Sequence, residues 1–234
     1  MPHPLDRPVW SALTTRQAHL AQVHVGAGGG RAVRMIADYG LFAATAERTP
    51  ESLAALSALL PEQGALALVE AEAFPPVPGA ASEPRQVWQM ACAGLTDFAA
   101  GPPGFEIVAL TEADAPEMLA LATLTEPGPF FARTHQLGDF IGVKVDGRLA
   151  AMAGERMKPA GFTEVSGVCV HPDHRGHGYS AVLSRRVATA ILARGEQPFL
   201  HVYAHNAPAI AVYEKLGFSL RREMAMTVLT RAAA

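Results

Sequence analysis

The chain has 234 residues, half of them hydrophobic, and a formal net charge of −3 from 19 basic and 22 acidic residues. This length is long for one small domain and short for two ordinary ones, and it allows a sizeable core to be buried. Because there is no basic excess, we expect neither a nucleic acid nor an anionic membrane as a partner.

Cysteine content and hydropathy predict the compartment. Two cysteines, Cys92 and Cys169, are too few for a disulfide framework, so we expect the reducing cytoplasm. The N-terminus lacks the cationic start and apolar run of a signal peptide. No uninterrupted apolar stretch reaches the ~18 residues of a membrane helix, so we expect no membrane span.

The first hundred residues show weak periodicity. Gly26 to Gly30 is interpreted as a plain loop, because a phosphate-binding loop needs a preceding strand, a following helix and a Lys or further Gly. Gly101-Pro102-Pro103-Gly104 is the strongest break, so we place a boundary between residues 1–100 and 101–234. The elements predicted before it are a short helix over 14–22, strands over 34–46, 64–74 and 86–93, and a helix over 50–60.

After the break, strands and helices alternate clearly. Asp146-Gly147 between two apolar runs is typical of a β-hairpin, and Asn206 is a plausible helix N-cap. Antiparallel strands followed by strand–helix–strand–helix–strand predict an α/β (α+β) fold with a mixed, mostly antiparallel sheet flanked by helices. The predicted elements are strands over 105–110, 140–145, 149–157, 162–170, 198–203 and 218–229, and helices over 111–121, 178–194 and 206–216.

A glycine-bearing loop joins a β-branched strand to a helix over residues 168–180, Val-Cys-Val-His-Pro-Asp-His-Arg-Gly-His-Gly-Tyr-Ser. A helix start leaves backbone N–H groups unpaired at the positive end of its dipole and therefore attracts phosphate. Gly176 and Gly178 let the backbone approach a diphosphate closely. A loop that only connects two elements is the alternative, and a lone Gly-x-Gly does not exclude it.

The loop resembles motif A of the GNAT superfamily of N-acetyltransferases, Gln/Arg-x-x-Gly-x-Gly/Ala. Arg175 and Gly178 fill the first and fourth places, whereas Ser180 departs from the usual Gly or Ala. A second block, residues 206–218, is similar to the family's Asn-x-x-Ala-x-x-x-Tyr-x-x-x-Gly-Phe ending. Asn206 and Tyr213 lie about 20° apart around a helix, so both can face one groove. The resemblance covers roughly residues 105–231.

The resemblance implies the GNAT acyl-CoA N-acyltransferase fold and acetyl-CoA as the cofactor, with an N-terminal α/β extension before the catalytic domain. Backbone groups of residues 176–181 would hold the coenzyme A pyrophosphate, and those of residues 168–170 would pair with the pantetheine arm. The cofactor-binding residues that it implies are Val168, Cys169, Val170, Arg175, Gly176, His177, Gly178, Tyr179, Ser180, Ala181, Asn206 and Tyr213.

Acetyl transfer needs a neutral amine, a donor for the oxyanion and a proton for the leaving thiolate. Tyr213 matches the family's acid for that thiolate. Glu164 matches the strand glutamate that is the base in histone-acetylating members, and His201 is its rival because imidazole titrates near neutrality. A packing role for Tyr213, an ion-paired role for Glu164 and a hydrogen-bonded role for His201 stay open.

Two other chemistries are disfavoured. His171, His174 and His177 have ligand-like spacing, but no Cys or carboxylate completes a set, so we expect no metal. Cys169 is interpreted as a small packing residue whose backbone, not its thiol, is functional.

The acceptor side is less specific. By the resemblance it involves residues 126–136 and 151–157, where Phe130, Phe131, Arg133 and Arg156 are candidate contacts, and either arginine could bind an acidic group. Core packing of the phenylalanines and solvation of the arginines are the alternatives. The acceptor could be an amino acid, a polyamine, an antibiotic or a peptide N-terminus.

We therefore expect an N-acetyltransferase, a monomer or homodimer. Residues 164–179 resemble the glycine N-acyltransferase-like branch, which favours a small-molecule amine; the first hundred residues could be a degenerate acetyltransferase-like half. The alternatives are an acetyl-CoA-binding sensor or interaction module, and a protein N-terminal or lysine acetyltransferase. A Rossmann dehydrogenase is disfavoured, because its glycines follow a first strand and precede an acidic residue about 20 positions on.

Overall fold

A computed structural model describes residues 3–97 and 104–232. The chain forms two compact units, each assembled from separate stretches of the sequence. Unit 1 comprises Met1–Trp88, Met157–Ala160 and Arg222–Ala234, and unit 2 comprises Gln89–Arg156 and Gly161–Arg221. Residues 101–103 of the predicted break lie outside the described residues, so the boundary at 100/101 stays a prediction.

In chain order, the helices and strands of the described residues are α1 (Pro8–Thr14), β1 (Ala21–Val25), β2 (Arg31–Met35), β3 (Ala43–Thr45), α2 (Pro50–Ala58), β4 (Leu66–Glu70), β5 (Ala80–Ala91), β6 (Val108–Ala109), α3 (Ala115–Thr125), β7 (Phe140–Val145), β8 (Arg148–Glu155), β9 (Phe162–Val170), α4 (Tyr179–Ala193), β10 (Gln197–Tyr203), α5 (Ala207–Leu216) and β11 (Ser219–Arg231).

Unit 1 contains a three-stranded antiparallel sheet in the order β1-β2-β3 and an antiparallel pair of β4 with β11. Helix α2 packs on β2 and β3 and supplies Ala55 and Leu56 to a core that also contains Leu66, Leu68 and Leu229. The glycine-rich segment 26–30 is the loop that the sequence predicts. A side chain at Gly30 would lie 2.1 Å from the backbone carbon of Glu51 in α2, so this glycine permits close packing.

Two predictions for unit 1 are wrong. No α-helix spans residues 14–22: α1 ends at Thr14, a 3₁₀ turn covers Ala18–Leu20, and β1 begins at Ala21. The helix lies earlier in the chain because Pro8 occupies its first turn and the buried Val9 and Leu13 follow it. The strand predicted over 34–46 is two antiparallel strands, β2 and β3, because the chain turns between them, with Tyr39 N–H donating to the Ile36 carbonyl.

Unit 2 is built on strands in the order β5-β10-β9-β8-β7-β6. The pairs β6–β7, β7–β8 and β8–β9 are antiparallel, and β9–β10 is parallel. Helices α3 and α4 pack on β8 and β9, and Met118 and Leu121 of α3 share a core with Met152 and Cys169. The predicted mixed, mostly antiparallel sheet flanked by helices is confirmed.

Local signals in unit 2 are also confirmed. Asp146 and Gly147 both have positive φ angles, +50° and +78°, as a primed hairpin turn between β7 and β8 requires. Asn206 caps α5, its side-chain oxygen accepting from Ala209 N–H at 3.3 Å, and Gly217 ends the helix in the left-handed conformation. None of the helices in residues 3–97 and 104–232 is both long and apolar enough to cross a membrane.

Replacing Gly30 by Ala should lower the free energy of unfolding by about 1–3 kcal/mol, because the added carbon would collide with the α2 backbone rather than with a flexible side chain. Thermal denaturation checks this. Gly94→Ala is the matched control: nothing lies within 4 Å of its added carbon and its φ is not left-handed, so its melting temperature should be unchanged. Equal melting of the two variants would contradict the packing of Gly30 on α2.

Candidate functional site

The loop between β9 and α4 forms an open cradle. Gly176 and Gly178 adopt left-handed φ angles of +84° and +76°, and a side chain at either position would meet nothing within 4 Å. Gly178 is the N-cap of α4 and provides no side-chain cap, so the first-turn amides of this 15-residue helix have no acceptor within the helix. Backbone N–H groups at a helix start, next to an open loop, form a site suited to phosphate oxygens.

Strands β9 and β10 stop pairing before the chain reaches this cradle. Within the part of the chain that the structure describes, their parallel pairing covers Phe162–Glu164 and Gln197–Phe199, although β9 continues to Val170 and β10 to Tyr203. On its other side β9 stays paired with β8 as far as Val170 opposite Ala151. The later part of β9 therefore keeps backbone groups that an extended ligand can pair with.

A β-bulge interrupts β9 at Gly167. Ser166 pairs with Gly154 and Cys169 with Met152, so β9 has one residue more than β8 over this stretch. Gly167 has a φ of +63°, and a side chain there would lie 2.9 Å from the Phe140 ring. Only glycine meets both requirements, and the bulge changes the direction of β9 between Glu164 and the cradle.

Glu164 lies at the last β9–β10 pair and is completely buried. Arg156 donates to both of its oxygens, each at 2.9 Å, and His201 Nδ1 lies 2.8 Å from Oε1. Burial raises the pKa of Glu164, but the charge of Arg156 and the hydrogen bonds from His201 and Arg156 outweigh it and hold this pKa at about 2. The carboxylate is thus ionised at neutral pH, and two predicted catalytic residues are in direct contact.

Gln89 and Arg221 complete this network, and sequence reasoning missed both. The Gln89 side-chain nitrogen lies 3.1 Å from His201 Nε2, and Arg221 donates to the Gln89 oxygen at 2.9 Å. Gln89 belongs to β5 and is 112 residues from His201. No motif connects these positions, so only the strand order of unit 2 brings them together.

Tyr213 of α5 and Cys169 of β9 are ionisable side chains that lie near each other. Burial, and secondarily the nearby Cys169 thiol, raises the pKa of Tyr213 to about 12. Burial also raises the pKa of Cys169 to about 11, against a smaller lowering by a hydrogen bond with Thr125. Both groups are therefore protonated at neutral pH, so Tyr213 can donate a proton and the Cys169 thiol is a poor nucleophile.

Three of the four predicted acceptor contacts have different surroundings. Phe130 packs edge-to-face on Phe140, 5.8 Å between ring centroids, and lies near Gly167. Arg156 is buried in its ion pair with Glu164. Arg133 is exposed and donates to Gln136 at 3.1 Å.

The remaining predicted residues differ in exposure. His177 stacks on the buried Tyr179 ring at 5.5 Å, and its Nδ1 lies 3.1 Å from the Arg175 carbonyl. No group of three or more His, Cys, Asp or Glu side chains in the described ranges could hold a metal ion. Exposed are Arg175, Gly176, His177, Gly178 and Asn206; half-buried are Phe131, Val168, Val170, Ser180, Ala181 and Tyr213.

Comparisons with known proteins show which chains this one is similar to. The family model described as FR47-like protein matches residues 141–227. A structure from Novosphingobium aromaticivorans DSM 12444, whose name assigns it to the acetyltransferases of the GNAT family, is 46% identical, covering 99% of this chain and 100% of that chain with a TM-score of 0.87. A GCN5-related N-acetyltransferase from Kribbella flavida is 19% identical, covers 95% and 94%, and has a TM-score of 0.67, so it shows the fold alone.

A curated relative matches over a shorter range. Mycothiol acetyltransferase from Saccharomonospora viridis is 36% identical over 90 residues, which are 35% of this chain and 29% of that protein. The match thus spans less than a third of the relative's length.

Glu164→Gln should destabilise the protein by about 3–5 kcal/mol near neutral pH, because it leaves Arg156 buried without its carboxylate. The native pKa of Glu164 is lowered, to about 2 from 4.5, so its contribution is present above pH 4.5 and is lost as the pH falls towards 2. Chemical denaturation between pH 7 and 2.5 should show the stability gap to wild type narrowing below pH 4.5. Glu214→Gln, at an exposed position of α5, is the control and should show no gap. A gap independent of pH would contradict an ionised, paired Glu164.

Proposed function

We propose that this chain, which belongs to the GNAT family of acetyltransferases, transfers an acetyl group from acetyl-CoA directly to a primary amine. The amine is proposed to belong to a small molecule or an amino acid. The observation that carries the proposal is the parting of β9 from β10 beside an open, uncapped helix start. A strand edge that leads to a phosphate cradle suits a ligand with an amide-bearing arm and a diphosphate.

Residues at this site fit acetyl-CoA. The cradle glycines leave room for a pyrophosphate, and the first-turn amides of α4 can donate to it. The backbone of Val168–Val170 can pair with the pantetheine amides, and Asn206 lies at the start of α5, which also carries Tyr213. When bound, acetyl-CoA supplies the activated acetyl group.

Tyr213 is proposed as the general acid. Its phenol keeps its proton at neutral pH, because burial raises its pKa to about 12. It is close enough to Cys169 for that thiol to affect its titration, which links α5 to the part of β9 that is proposed to pair with pantetheine. A protonated phenol at this position suits donation to a sulfur leaving group.

Glu164 and His201 are proposed to remove the amine proton together, with unequal parts. Glu164 is a weak proton acceptor at neutral pH, since its pKa is about 2 and Arg156 occupies both its oxygens. His201 therefore takes the proton, and Glu164 orients the imidazole and offsets the charge that it gains.

A small-molecule acceptor is supported by two likenesses. The sequence of residues 164–179 resembles the glycine N-acyltransferase-like branch, and the name of the Saccharomonospora viridis relative refers to mycothiol rather than to a protein. Phe130 and Phe131 are proposed to line the acceptor site, because Phe130 lies near the Gly167 bulge. Arg133, which is exposed and donates to Gln136, is proposed to bind an acidic group of the acceptor, whereas the buried Arg156 pairs with Glu164.

Compartment and assembly stay predictions from the sequence. The two cysteines are free and buried, as the expected reducing cytoplasm would allow. A monomer or homodimer that acts without nucleic acid or membrane is the proposal.

Acetyl-CoA and coenzyme A should both raise the melting temperature, and NAD should not, because the cradle is proposed to hold the coenzyme A diphosphate. Thiol release from acetyl-CoA, measured across a panel of amino acids, polyamines, aminoglycosides and peptide N-termini, should identify at least one small amine. Binding of acetyl-CoA without thiol release for every amine would favour the sensor alternative, and release only with peptides would favour the protein acetyltransferase. Stabilisation by NAD alone would contradict acetyl-CoA binding and therefore the proposal and both alternatives.

Tyr213→Phe should lower kcat about 100-fold or more while the Kd for coenzyme A stays within about twofold, because only proton donation is lost. Steady-state kinetics and calorimetric titration measure the two quantities. Tyr39→Phe, a tyrosine of unit 1, is the control and should leave both unchanged. An unchanged kcat in Tyr213→Phe would remove the acid role.

A further inference from the structure

We infer that Gln89 is a positioning residue that fixes the tautomer of His201, with the proton on Nδ1 facing Glu164 and the lone pair on Nε2. The meaning of this assignment for catalysis rests on the proposed function. Gln89 lies in β5, before the segment that resembles the acetyltransferase family, and none of the motifs includes it.

The direction of the hydrogen bonds is set at Arg221. A guanidinium has only donors, and Arg221 Nη1 lies 2.9 Å from one end of the Gln89 amide, so that end must be the carbonyl oxygen. The amide nitrogen of Gln89 then faces His201 Nε2 at 3.1 Å. Because an amide nitrogen only donates, Nε2 must be the acceptor and carries no proton in the neutral ring.

The opposite side of the ring leads to the same tautomer. His201 Nδ1 lies 2.8 Å from Oε1 of Glu164, an ionised carboxylate that only accepts, so Nδ1 must carry the proton. Arg156 holds both oxygens of that carboxylate at 2.9 Å and prevents it from turning away. Arginines thus stand at both ends of the network, and the hydrogen bonds from Arg221 through Gln89 and His201 to Glu164 all run in one direction.

The surroundings of the imidazole allow little freedom. Its side chain is 7% exposed, and the Phe199 ring lies edge-on at 5.6 Å between centroids. Among the described residues, the network around it includes the charged side chains of Glu164 from β9, Arg156 beyond β8 and Arg221 from β11, and the neutral polar side chain of Gln89. In the other tautomer, two donors would face each other at Gln89 and Nε2. Two acceptors would face each other at Nδ1 and Glu164.

This tautomer leaves His201 one basic nitrogen, and Gln89 is its resting partner. When the Gln89 amide moves away from Nε2, the ammonium group of the acceptor can transfer its proton to Nε2. This transfer leaves a neutral amine and an imidazolium. The new charge is next to the Glu164 carboxylate. Return of the proton to water restores the resting ring, so the proton is accounted for without another group.

The tautomer can be read from two-bond ¹H–¹⁵N correlation spectra of the full chain, with His201 assigned by the loss of its signals in His201→Asn. We expect Nε2 to be unprotonated in wild type at pH 7.5. Gln89→Met keeps the volume and removes the donor, so only Glu164 still favours the proton on Nδ1. The share of the Nε2-protonated tautomer should therefore rise above that of wild type, and kcat/KM should fall about twofold or more. Gln86→Met, an exposed glutamine of the same strand, is the matched control and should change neither quantity.

Gln89→Glu provides a second variant if Gln89→Met fails to fold. Its carboxylate accepts instead of donating, so Nε2 should become protonated and the acid limb of the kcat/KM profile should move to higher pH by about one unit or more. A protonated Nε2 in wild type, or a tautomer and pH profile unchanged in Gln89→Glu, would overturn the inference. Absence of turnover with every amine, together with an unprotonated Nε2, would overturn the proposed function while supporting the tautomer.

Discussion

A buried, ionised carboxylate is the constraint on which the site depends. Glu164 is inaccessible to solvent, and a charge in such a place is tolerated only when it is paired and hydrogen-bonded. Arg156 and His201 meet that need, and each comes from a different stretch of chain beside β9. The carboxylate therefore fixes the relative positions of β9, β10 and the chain beyond β8 at the level where β9 and β10 part.

The position of Glu164 separates two parts of β9 that have different surroundings. Before the Gly167 bulge, residues 162–164 pair with β10, Val165 and Ser166 pair with β8, and the strand carries the charged network. After the bulge, pairing continues only with β8 in the described residues, and the chain runs into the left-handed glycines and the uncapped start of α4. The extra residue of the bulge permits this change of direction without breaking the β8–β9 ladder. Ligand binding and proton handling can thus lie on one strand without competing for the same backbone groups.

Sequence reasoning succeeded where the signal is local. The Asp146-Gly147 hairpin, the Asn206 cap and the helix after Gly178 each depend on residues within a few positions of one another. It failed where the signal is tertiary. The helix predicted over 14–22 overlooked Pro8 as a starting residue, and the contact of Gln89 with His201 needs β5 beside β10, which no spacing encodes. Glu164 and Arg156 were assigned to different tasks because periodicity gives the face of a residue and not its partner.

The position of Gln89 also bears on how the chain divides. A boundary at 100/101 would assign Gln89 to the N-terminal region, whereas it belongs to unit 2 together with His201, Glu164 and Arg221. Strand β5 contains the transition between units, since Trp88 belongs to unit 1 and Gln89 to unit 2. A fragment that starts at residue 101 would retain the cradle and Tyr213 but lose the donor to His201 Nε2. The N-terminal hundred residues therefore supply Gln89 to this hydrogen-bond network, and describing them only as an extension omits that contact.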